Sequence, residues 1–214
     1  MAFGSAIHLG IESFLTGDDG KEDFITYWDI EKTKDNRYSR YGWSELRAQG
    51  LILLSKFSTR YAKRIKIHQM EQRLYGEYKD IKLEGTPDVV GDFDGVPSII
   101  DFKTSGANYH KEKIRTAEQL YLYSYLAKKH LNYEVKQIVY IVLVKGNTPS
   151  IQTALVRELN QEESNRVLED IYTDCKQLEL MQVKKTFTRN LNSCIFGEKG
   201  ECDFFRTCFP KEKI

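Results

Sequence analysis

The sequence predicts a mixed α/β fold, in which a central mixed β-sheet is flanked by helices. Three observations support this fold class: helical spacing of apolar residues in several segments, a turn-rich run of short strand-like segments over 67–104, and the unbroken apolar run IVYIVLV over 138–144. Seven uninterrupted apolar residues are typical of a strand that is covered on both faces. Because strands and helices do not alternate regularly, a doubly wound parallel sheet is not expected.

The N-terminal half contains two predicted helices followed by a β-meander. The first helix covers 5–15, and the second covers 44–66, where Leu46, Leu53 and Phe57 have near-helical spacing and basic residues lie at the end. Four strand-like segments come next: KIHQMEQRLY, YKDIKLEG, TPDVVGDFDG and VPSIIDFKT. Within them, DFDG is a hairpin-turn signal.

The C-terminal half begins with a predicted helix over 115–130, followed by the strand IVYIVLV and a second strand, SIQTALVREL. Asn160 and Glu163 form an N-x-x-E capping box, which predicts a helix over 161–181. An irregular tail follows that helix.

Length and composition predict one ordinary domain with a small appendage. The chain has 214 residues, of which 41% are hydrophobic and 12% aromatic, enough to form a core and to exclude disorder as its main state. We expect a domain over 1–185 and a cysteine-containing tail over 186–214 packed on it. No run approaches about 18 apolar residues, and no basic-then-apolar start is visible, so we expect a cytoplasmic protein without a membrane span.

The charge is balanced overall but unevenly distributed. Thirty-two Lys and Arg face 31 Asp and Glu, which excludes a surface coated with basic residues. Residues 1–35 have eight acids and three bases, net −5, whereas 56–82 have eight bases and three acids, net +5. This asymmetry favours a local track for a polyanion.

The segment GTPDVVGDFDGVPSIIDFKTS contains the most informative residues. Asp88 follows a Thr-Pro pair, and Asp101 and Lys103 lie at the end of a predicted strand, where alternation places them on one face. Two carboxylates on adjacent strands offer oxygen ligands to Mg²⁺ or Mn²⁺. A neighbouring lysine can orient a water, and the metal can activate it for phosphodiester hydrolysis.

The tripeptide [D/E]-x-K alone carries little information. It begins at six positions: Asp19, Glu77, Asp80, Asp101, Glu134 and Asp174. Only Asp101 follows the apolar VPSII segment, which predicts a buried carboxylate, and has Asp88 across a predicted hairpin. The alternative is an ordinary ion pair between Asp101 and Lys103.

These residues carry a resemblance to a known family. GTPD and IIDFKTS resemble the active-site motif of the PD-(D/E)XK nuclease superfamily, in particular its RecB-like exonuclease branch, which includes phage exonucleases and CRISPR-associated adaptation nucleases. His8 in G-x-x-x-H, Glu71 on the first core strand, and Gln119 with Tyr123 in Q-x-x-x-Y match further motifs of that branch in the same order. The resemblance implies a restriction-endonuclease-like core.

The resemblance also implies roles. The metal ligands would be His8, Asp88, Asp101 and the backbone carbonyl of Phe102, with Glu71 as an additional acid. Lys103 would be catalytic together with the two aspartates. Imidazole suits Mn²⁺ better than Mg²⁺.

Two helical residues complete the set of implied roles. Gln119 and Tyr123 lie four residues apart, hence on one face of the predicted helix. They would position DNA or buttress Lys103. Each residue outside the aspartates and the lysine has an ordinary alternative, since histidine, glutamate and a Gln/Tyr pair are common on surfaces and at core edges.

The tail contains Cys194, Cys202 and Cys208, in the pattern C-x7-C-x5-C. Many RecB-like nucleases carry an iron–sulfur cluster, and the last spacing matches that pattern; the first spacing is wider, and no cysteine precedes His8. A metal or cluster site and a compact tail with buried free thiols are both open. Cys175 lies within a predicted helix and is expected to be a plain thiol.

The sequence thus predicts a Mg²⁺- or Mn²⁺-dependent DNA nuclease, with an exonuclease as the favoured type. Lys63, Arg64 and Lys66 are candidates for contacts with the DNA backbone. DNA is the expected partner, and recombination or replication proteins are further candidates. The alternatives are a non-catalytic nucleic-acid binding or assembly module with a nuclease-derived fold, and a metal-dependent hydrolase of another phosphate ester.

Overall fold

Five α-helices, two short 3-10 helices and eight strands are present in the computed structural model, which describes residues 2–32 and 42–186. The helices are α1 (Ala2–Thr16), α2 (Gly20–Lys32), α3 (Trp43–Arg60), α4 (Glu118–Leu131) and α5 (Gln161–Lys184). The strands are β1 (Ile65–Met70), β2 (Leu74–Tyr78), β3 (Ile81–Gly85), β4 (Val89–Phe93), β5 (Val96–Ser105), β6 (Gln137–Val144), β7 (Ser150–Ile151) and β8 (Leu155–Glu158). None of the helices in these two ranges is long and apolar enough to cross a membrane.

Six of the strands form one mixed sheet, in the order β1-β4-β5-β6-β7, with β8 also paired to β6. Only β5 and β6 run parallel; the other neighbours are antiparallel. A parallel pair needs a crossover connection, and α4 lies within the one between β5 and β6. The prediction of a mixed sheet with flanking helices is confirmed.

The β4–β5 hairpin turns where the DFDG signal predicts. Asp94 and Gly95 both have left-handed backbone conformations, with φ of 53° and 80°, as a tight two-residue hairpin turn requires. The Asp94 carboxylate accepts two hydrogen bonds from the guanidinium of Arg64, at 2.8 and 2.6 Å. This ion pair fixes the turn to the start of β1.

The sheet presents different faces to different helices. Ile100 and Phe102 of β5 belong to the main hydrophobic core, together with Ile7 of α1 and Phe57 of α3. Helix α4 contacts β5 and β6, and also the small β2–β3 hairpin. Since side chains alternate along a strand, Asp101 and Lys103 lie on the face opposite Phe102.

The β2–β3 hairpin is inserted between β1 and β4, and its two connections bring acidic residues together. Glu71 follows β1 directly, and Asp88 precedes β4 directly. Because β1 and β4 pair as far as Met70 and Val89, the next two residues meet as well. The backbone N–H of Glu71 donates to the carbonyl of Asp88 at 3.1 Å.

Three element predictions differ from the structure. Helix α2 was not predicted; its Phe24 and Trp28, one helical turn apart, are buried in the core. The predicted helix over 44–66 ends at Arg60. At that point the hydroxyl of Tyr61 bonds the Gln152 carbonyl at 3.0 Å, a tertiary contact that local spacing does not reveal.

The segment SIQTALVREL forms two short strands, β7 and β8, instead of one. Residues 152–154 leave the ladder between them. The start of α5 is capped as predicted, since the Asn160 side chain accepts from the N–H of Glu163 at 3.1 Å. The reciprocal half of the capping box is absent from the described contacts, because the carboxylate of Glu163 pairs with Arg157 instead.

The chain divides into two compact units, Met1–Asp170 and Ile171–Ile214. The sheet and α1–α4 belong to the first unit, and α5 begins in the first and ends in the second. In the described part of the second unit, Cys175 is a half-buried free thiol. The predicted division after residue 185 stays a prediction.

The crossing of α1 and α2 provides a test of close packing. A Cβ on Gly20 would overlap the carbonyl oxygen of Gly10. We expect Gly20→Ala to lower the free energy of unfolding by about 1–3 kcal/mol in urea titrations, because the two helices must move apart. Gly146→Ala, whose Cβ would meet open space, should stay within about 0.5 kcal/mol of the parent. Equal stability of both variants would contradict a tight crossing.

Candidate metal and catalytic site

Three predicted residues from different elements converge at one end of the sheet. One ligand atom from each of His8, Glu71 and Asp88 lies within 4.8 Å of the other two. His8 comes from α1, and its ring packs edge-on against Phe102, with centroids 6.1 Å apart. Its Nδ1 lies 3.6 Å from Oδ1 of Asp88. These side chains form a group that could hold a cation.

Asp88 is held toward β5 by a backbone hydrogen bond. The N–H of Phe102 donates to Oδ2 of Asp88 at 2.6 Å. Only 14% of the Asp88 side chain is exposed. Burial and the nearby Asp101 carboxylate raise the pKa of Asp88 to about 7, although the Phe102 N–H opposes this shift. The charge of Lys103 also lowers the pKa of Asp88, but burial and the Asp101 carboxylate outweigh it.

Asp101 is the most buried acid of the site. Its side chain is 3% exposed, and its Oδ1 accepts a hydrogen bond from Nζ of Lys103 at 3.0 Å. Oδ2 also lies 2.8 Å from Nζ, yet it receives no well-directed hydrogen bond from any described residue. Burial raises the pKa of Asp101 despite the lysine. The ammonium of Lys103 thus compensates this buried carboxylate in part, and a bound cation would be a further partner for it.

Lys103 lies at the start of a chain of polar contacts that leads to α4. Burial opposes its charge, but Asp101 and Asp88 outweigh that effect and raise the pKa of Lys103 above its ordinary value. Oε1 of Gln119 lies 3.5 Å from Nζ, and Nε2 of Gln119 donates to the hydroxyl of Tyr123 at 2.7 Å. Lys103 is therefore positively charged at neutral pH and fixed from two sides.

The side chains present fit a divalent cation. Carboxylate oxygens suit Mg²⁺ and Mn²⁺, and an imidazole adds a ligand that transition metals prefer. Partial burial and the carboxylates of Asp88 and Glu12 raise the pKa of Glu71 to about 7. Asp101 lies near these residues, but it is not one of the three whose ligand atoms all lie within 4.8 Å of one another. A role for the Phe102 carbonyl stays a prediction.

Two residues of this site were missed from the sequence. Glu12 lies one helical turn after His8 on α1, and its carboxylate is close enough to raise the pKa of Asp88 and Glu71. Its i, i+4 spacing from His8 was the available signal. Tyr140 pairs in register with Asp101 on the neighbouring strand. Its signal was a single phenol within an otherwise aliphatic strand.

The three basic candidates lie far from the carboxylates. Lys63 and Arg64 precede β1 and Lys66 lies near its start, whereas Glu71 follows its end. Six strand residues separate the two ends by roughly 20 Å. Arg64 is already paired with Asp94. Contacts from these residues to DNA stay a prediction, and the structure gives Arg64 a structural role.

The cysteine prediction falls outside the described residues. Cys194, Cys202 and Cys208 belong to 187–214, for which the structure gives no description. Both readings of the tail stay predictions.

Fold and site together define a class: a mixed sheet whose strand ends hold an acidic cluster and a lysine, as in metal-dependent nucleases. The family model of the PD-(D/E)XK nuclease superfamily matches residues 1–209. The chain therefore belongs to the PD-(D/E)XK nuclease superfamily, and the resemblance noted from its motifs is confirmed.

Two solved structures were compared with the chain. One is a protein from Eubacterium rectale that is provisionally named an exonuclease, with a TM-score of 0.60, 10% identity, and coverage of 100% of this chain and 76% of that one. At that identity the likeness concerns the fold. The other is the protein SSO0001, with a TM-score of 0.35, 13% identity, and coverage of 79% and 73%. No curated protein matches the sequence significantly.

The raised pKa values of Asp88 and Glu71, about 7 each against ordinary values near 4, predict competition between protons and metal. Between about pH 4 and pH 7 the folded, metal-free protein holds protons on Glu71 and Asp88 that the unfolded chain has released. The free energy of unfolding therefore falls as pH rises from about 4 to about 7. A cation must displace those protons at low pH. We therefore expect Mn²⁺ to raise Tm more at pH 8 than at pH 5.5.

The matched control is the double variant Glu71→Gln, Asp88→Asn. It should lose most of the Mn²⁺-dependent rise in Tm and show a flatter decline of metal-free stability over this pH range. An Mn²⁺ effect that is equal at both pH values, or that survives the double substitution, would contradict the site.

Proposed function

We propose that this protein is a Mg²⁺- or Mn²⁺-dependent DNA nuclease of the exonuclease type, which hydrolyses phosphodiester bonds of linear DNA. The observation that carries the proposal is the buried Asp101 in an ion pair with Lys103, with the buried carboxylate of Asp88 next to it. Membership in the nuclease superfamily supports the phosphodiester as the bond that is cut. The fold neighbour provisionally named an exonuclease favours that type.

In this proposal His8, Glu71, Asp88 and Asp101 hold the metal, with the Phe102 carbonyl as a further ligand. When bound, a divalent cation polarises the scissile phosphate and lowers the pKa of a coordinated water. The protein contributes the geometry. The backbone N–H of Phe102 orients Asp88, and the packing of α1 on the core orients His8.

Lys103 acts through its charge. Because its pKa is raised, it keeps its proton at neutral pH and does not serve as the base. An ammonium next to the metal ligands can donate hydrogen bonds to the attacking water and to the phosphate oxygen on which charge develops. Its place beside Asp101 keeps it from folding away from the site.

Gln119 and Tyr123 support Lys103 in this proposal. The amide of Gln119 reaches toward the ammonium with its oxygen and donates to Tyr123 with its nitrogen. An amide fixed at one end presents its acceptor in one orientation. The contacts thus favour a buttressing role over a direct contact with DNA.

The first test uses the parent protein and two variants of the lysine–aspartate pair. Asp101→Asn and Lys103→Ala should each lower kcat on labelled DNA by about 100-fold or more, because each removes a charge that acts in the transition state. EDTA should abolish cleavage, and Mn²⁺ should restore it.

Glu134 and Lys136 provide a matched control, since they form the same kind of [D/E]-x-K ion pair, at 3.1 Å, on the surface. Glu134→Gln and Lys136→Ala should retain full activity. Full activity of the Asp101 or Lys103 variants would refute the assignment. Cleavage of labelled linear DNA but not of circular DNA would support an exonuclease, and release of phosphate from mononucleotides alone would point to another esterase.

The second test concerns the buttress. Tyr123→Phe removes only the hydroxyl that accepts from Gln119, so we expect kcat to fall about 2- to 10-fold, with KM little changed. Gln119→Ala should have a similar effect, and the double variant should lose less than the product of the two, because both act through one contact. Tyr125→Phe, on the same helix but bonded to the Glu77 carbonyl, should be unaffected. Multiplicative effects would argue for independent roles.

A further inference from the structure

An aromatic surface lies directly beside Lys103 on the α4 side of the sheet. The ring of Tyr140 lies 5.8 Å from Nζ of Lys103. Tyr109, in the connection from β5 to α4, packs edge-on against Tyr140, with centroids 6.2 Å apart and an interplanar angle of 84°. Tyr109 and Tyr140 therefore form one aromatic cluster beside the lysine. No role assigned above uses Tyr109.

The backbone of Tyr109 is held by a single amide side chain. Gln152 accepts from the N–H of Tyr109 at 2.7 Å and donates to its carbonyl at 2.7 Å. This pair of bonds resembles the pairing of two strands, while the backbone N–H of Gln152 itself donates to the carbonyl of Val142 at 3.0 Å. Two further side chains fix the connection on either side: Ser105 accepts from the N–H of Ala107 at 3.2 Å, and His110 accepts from a later N–H at 3.3 Å.

The ring of Tyr109 is half-exposed, and it does not belong to the main hydrophobic core. In the described part of the chain its hydroxyl makes no hydrogen bond. The two bonds with Gln152 thus hold a backbone that presents a half-exposed aromatic ring. A ring held in place before binding loses little entropy when a ligand stacks on it.

Basic residues follow Tyr109 directly. Lys111 and Lys113 are exposed in the short 3-10 helix Lys111–Thr116. Aromatic rings interleaved with basic side chains are the pattern by which proteins bind single-stranded nucleic acid, because bases stack on the rings while cations follow the phosphates. Stacking requires a base that is free of its partner, which a duplex does not offer.

We infer that Tyr109 is a stacking platform for an unpaired base of the DNA, next to the phosphate that lies at Lys103. The inference rests on the proposed nuclease function and adds to it a substrate class: single strands, or duplex ends that have opened. Tyr140 packs against the ring of Tyr109 and supports it beside the lysine. Lys111 and Lys113 contact phosphates of the same strand.

The test measures binding separately from cleavage. Fluorescence polarisation with a labelled single-stranded 20-nucleotide probe in Ca²⁺ gives Kd for the parent and for Tyr109→Ala, Tyr109→Phe and Tyr133→Ala. We expect Tyr109→Ala to weaken binding by about 5- to 100-fold, the range for loss of one stacked base. Tyr109→Phe keeps the ring and should stay within about twofold. Tyr133 is a half-exposed tyrosine bonded to Asp92 at the other end of the sheet, and its variant should bind normally.

An abasic probe separates stacking from a general loss of structure. The parent should bind a strand of abasic nucleotides as weakly as Tyr109→Ala binds the normal strand, and Tyr109→Ala should lose no further affinity on it. The inference would be overturned if Tyr109→Ala lost the same affinity, relative to the parent, on the normal and the abasic strand, or lost none on either. It would also be overturned if the parent bound a blunt duplex more tightly than the single strand. If the parent binds single strands through Tyr109 but cleaves nothing in Mn²⁺, the proposed function fails and the binding site stands.

Discussion

Burial of neighbouring carboxylates is the constraint on which this structure depends. Glu12, Glu71, Asp88 and Asp101 crowd one end of the sheet, and burial raises the pKa of each above its ordinary value. Repulsion from neighbouring carboxylates adds to this shift at Glu71 and Asp88. Lys103 is bonded to one of the four. Such an arrangement persists only where the fold holds it, because separated carboxylates would be better hydrated. The favourable free energy of the sheet and of the α1 packing thus offsets the cost of holding these carboxylates together. A cation of charge +2 would lower that cost.

The strand pairing, more than the local sequence, fixes that geometry. Glu71 and Asp88 are seventeen positions apart, and they meet because the β1–β4 ladder ends at Met70 and Val89. Glu71 has a left-handed backbone with φ of 49°, which is uncommon for a residue with a side chain. At this point β1 ends and the chain enters the β2–β3 hairpin. The inserted hairpin therefore contributes to the site through its two connections, and its packing on α4 anchors both of them.

The sequence predicted the parts of this arrangement that depend on residues close together in the chain, and missed those that depend on contacts between distant segments. Alternation along one strand placed Asp101 and Lys103 on a common face, and the turn residues around Asp94 located the hairpin that brings Asp88 beside them. These signals are local. Tyr140 escaped prediction because its place beside Asp101 depends on the parallel register of β5 and β6, which no pattern within either strand specifies. Helix α2 escaped for a related reason: its buried residues, such as Trp28, are too few to show a helical face until the partners are known.

The distribution of basic residues also has a consequence for how DNA is attracted. Positive charge is concentrated in residues 56–82 of the sequence. Arg64, however, is paired with Asp94, and Lys63 and Lys66 lie at the end of β1 that is remote from the acids. Next to the acids lies the ammonium of Lys103, which is paired with Asp101. A protein with little net charge exerts weak long-range attraction, so under the proposed function affinity would come from short-range contacts: the metal, the ammonium of Lys103 and a base stacked on Tyr109. Contacts of that kind would act on the strand being cut and leave the products free to dissociate, which suits the proposed enzyme.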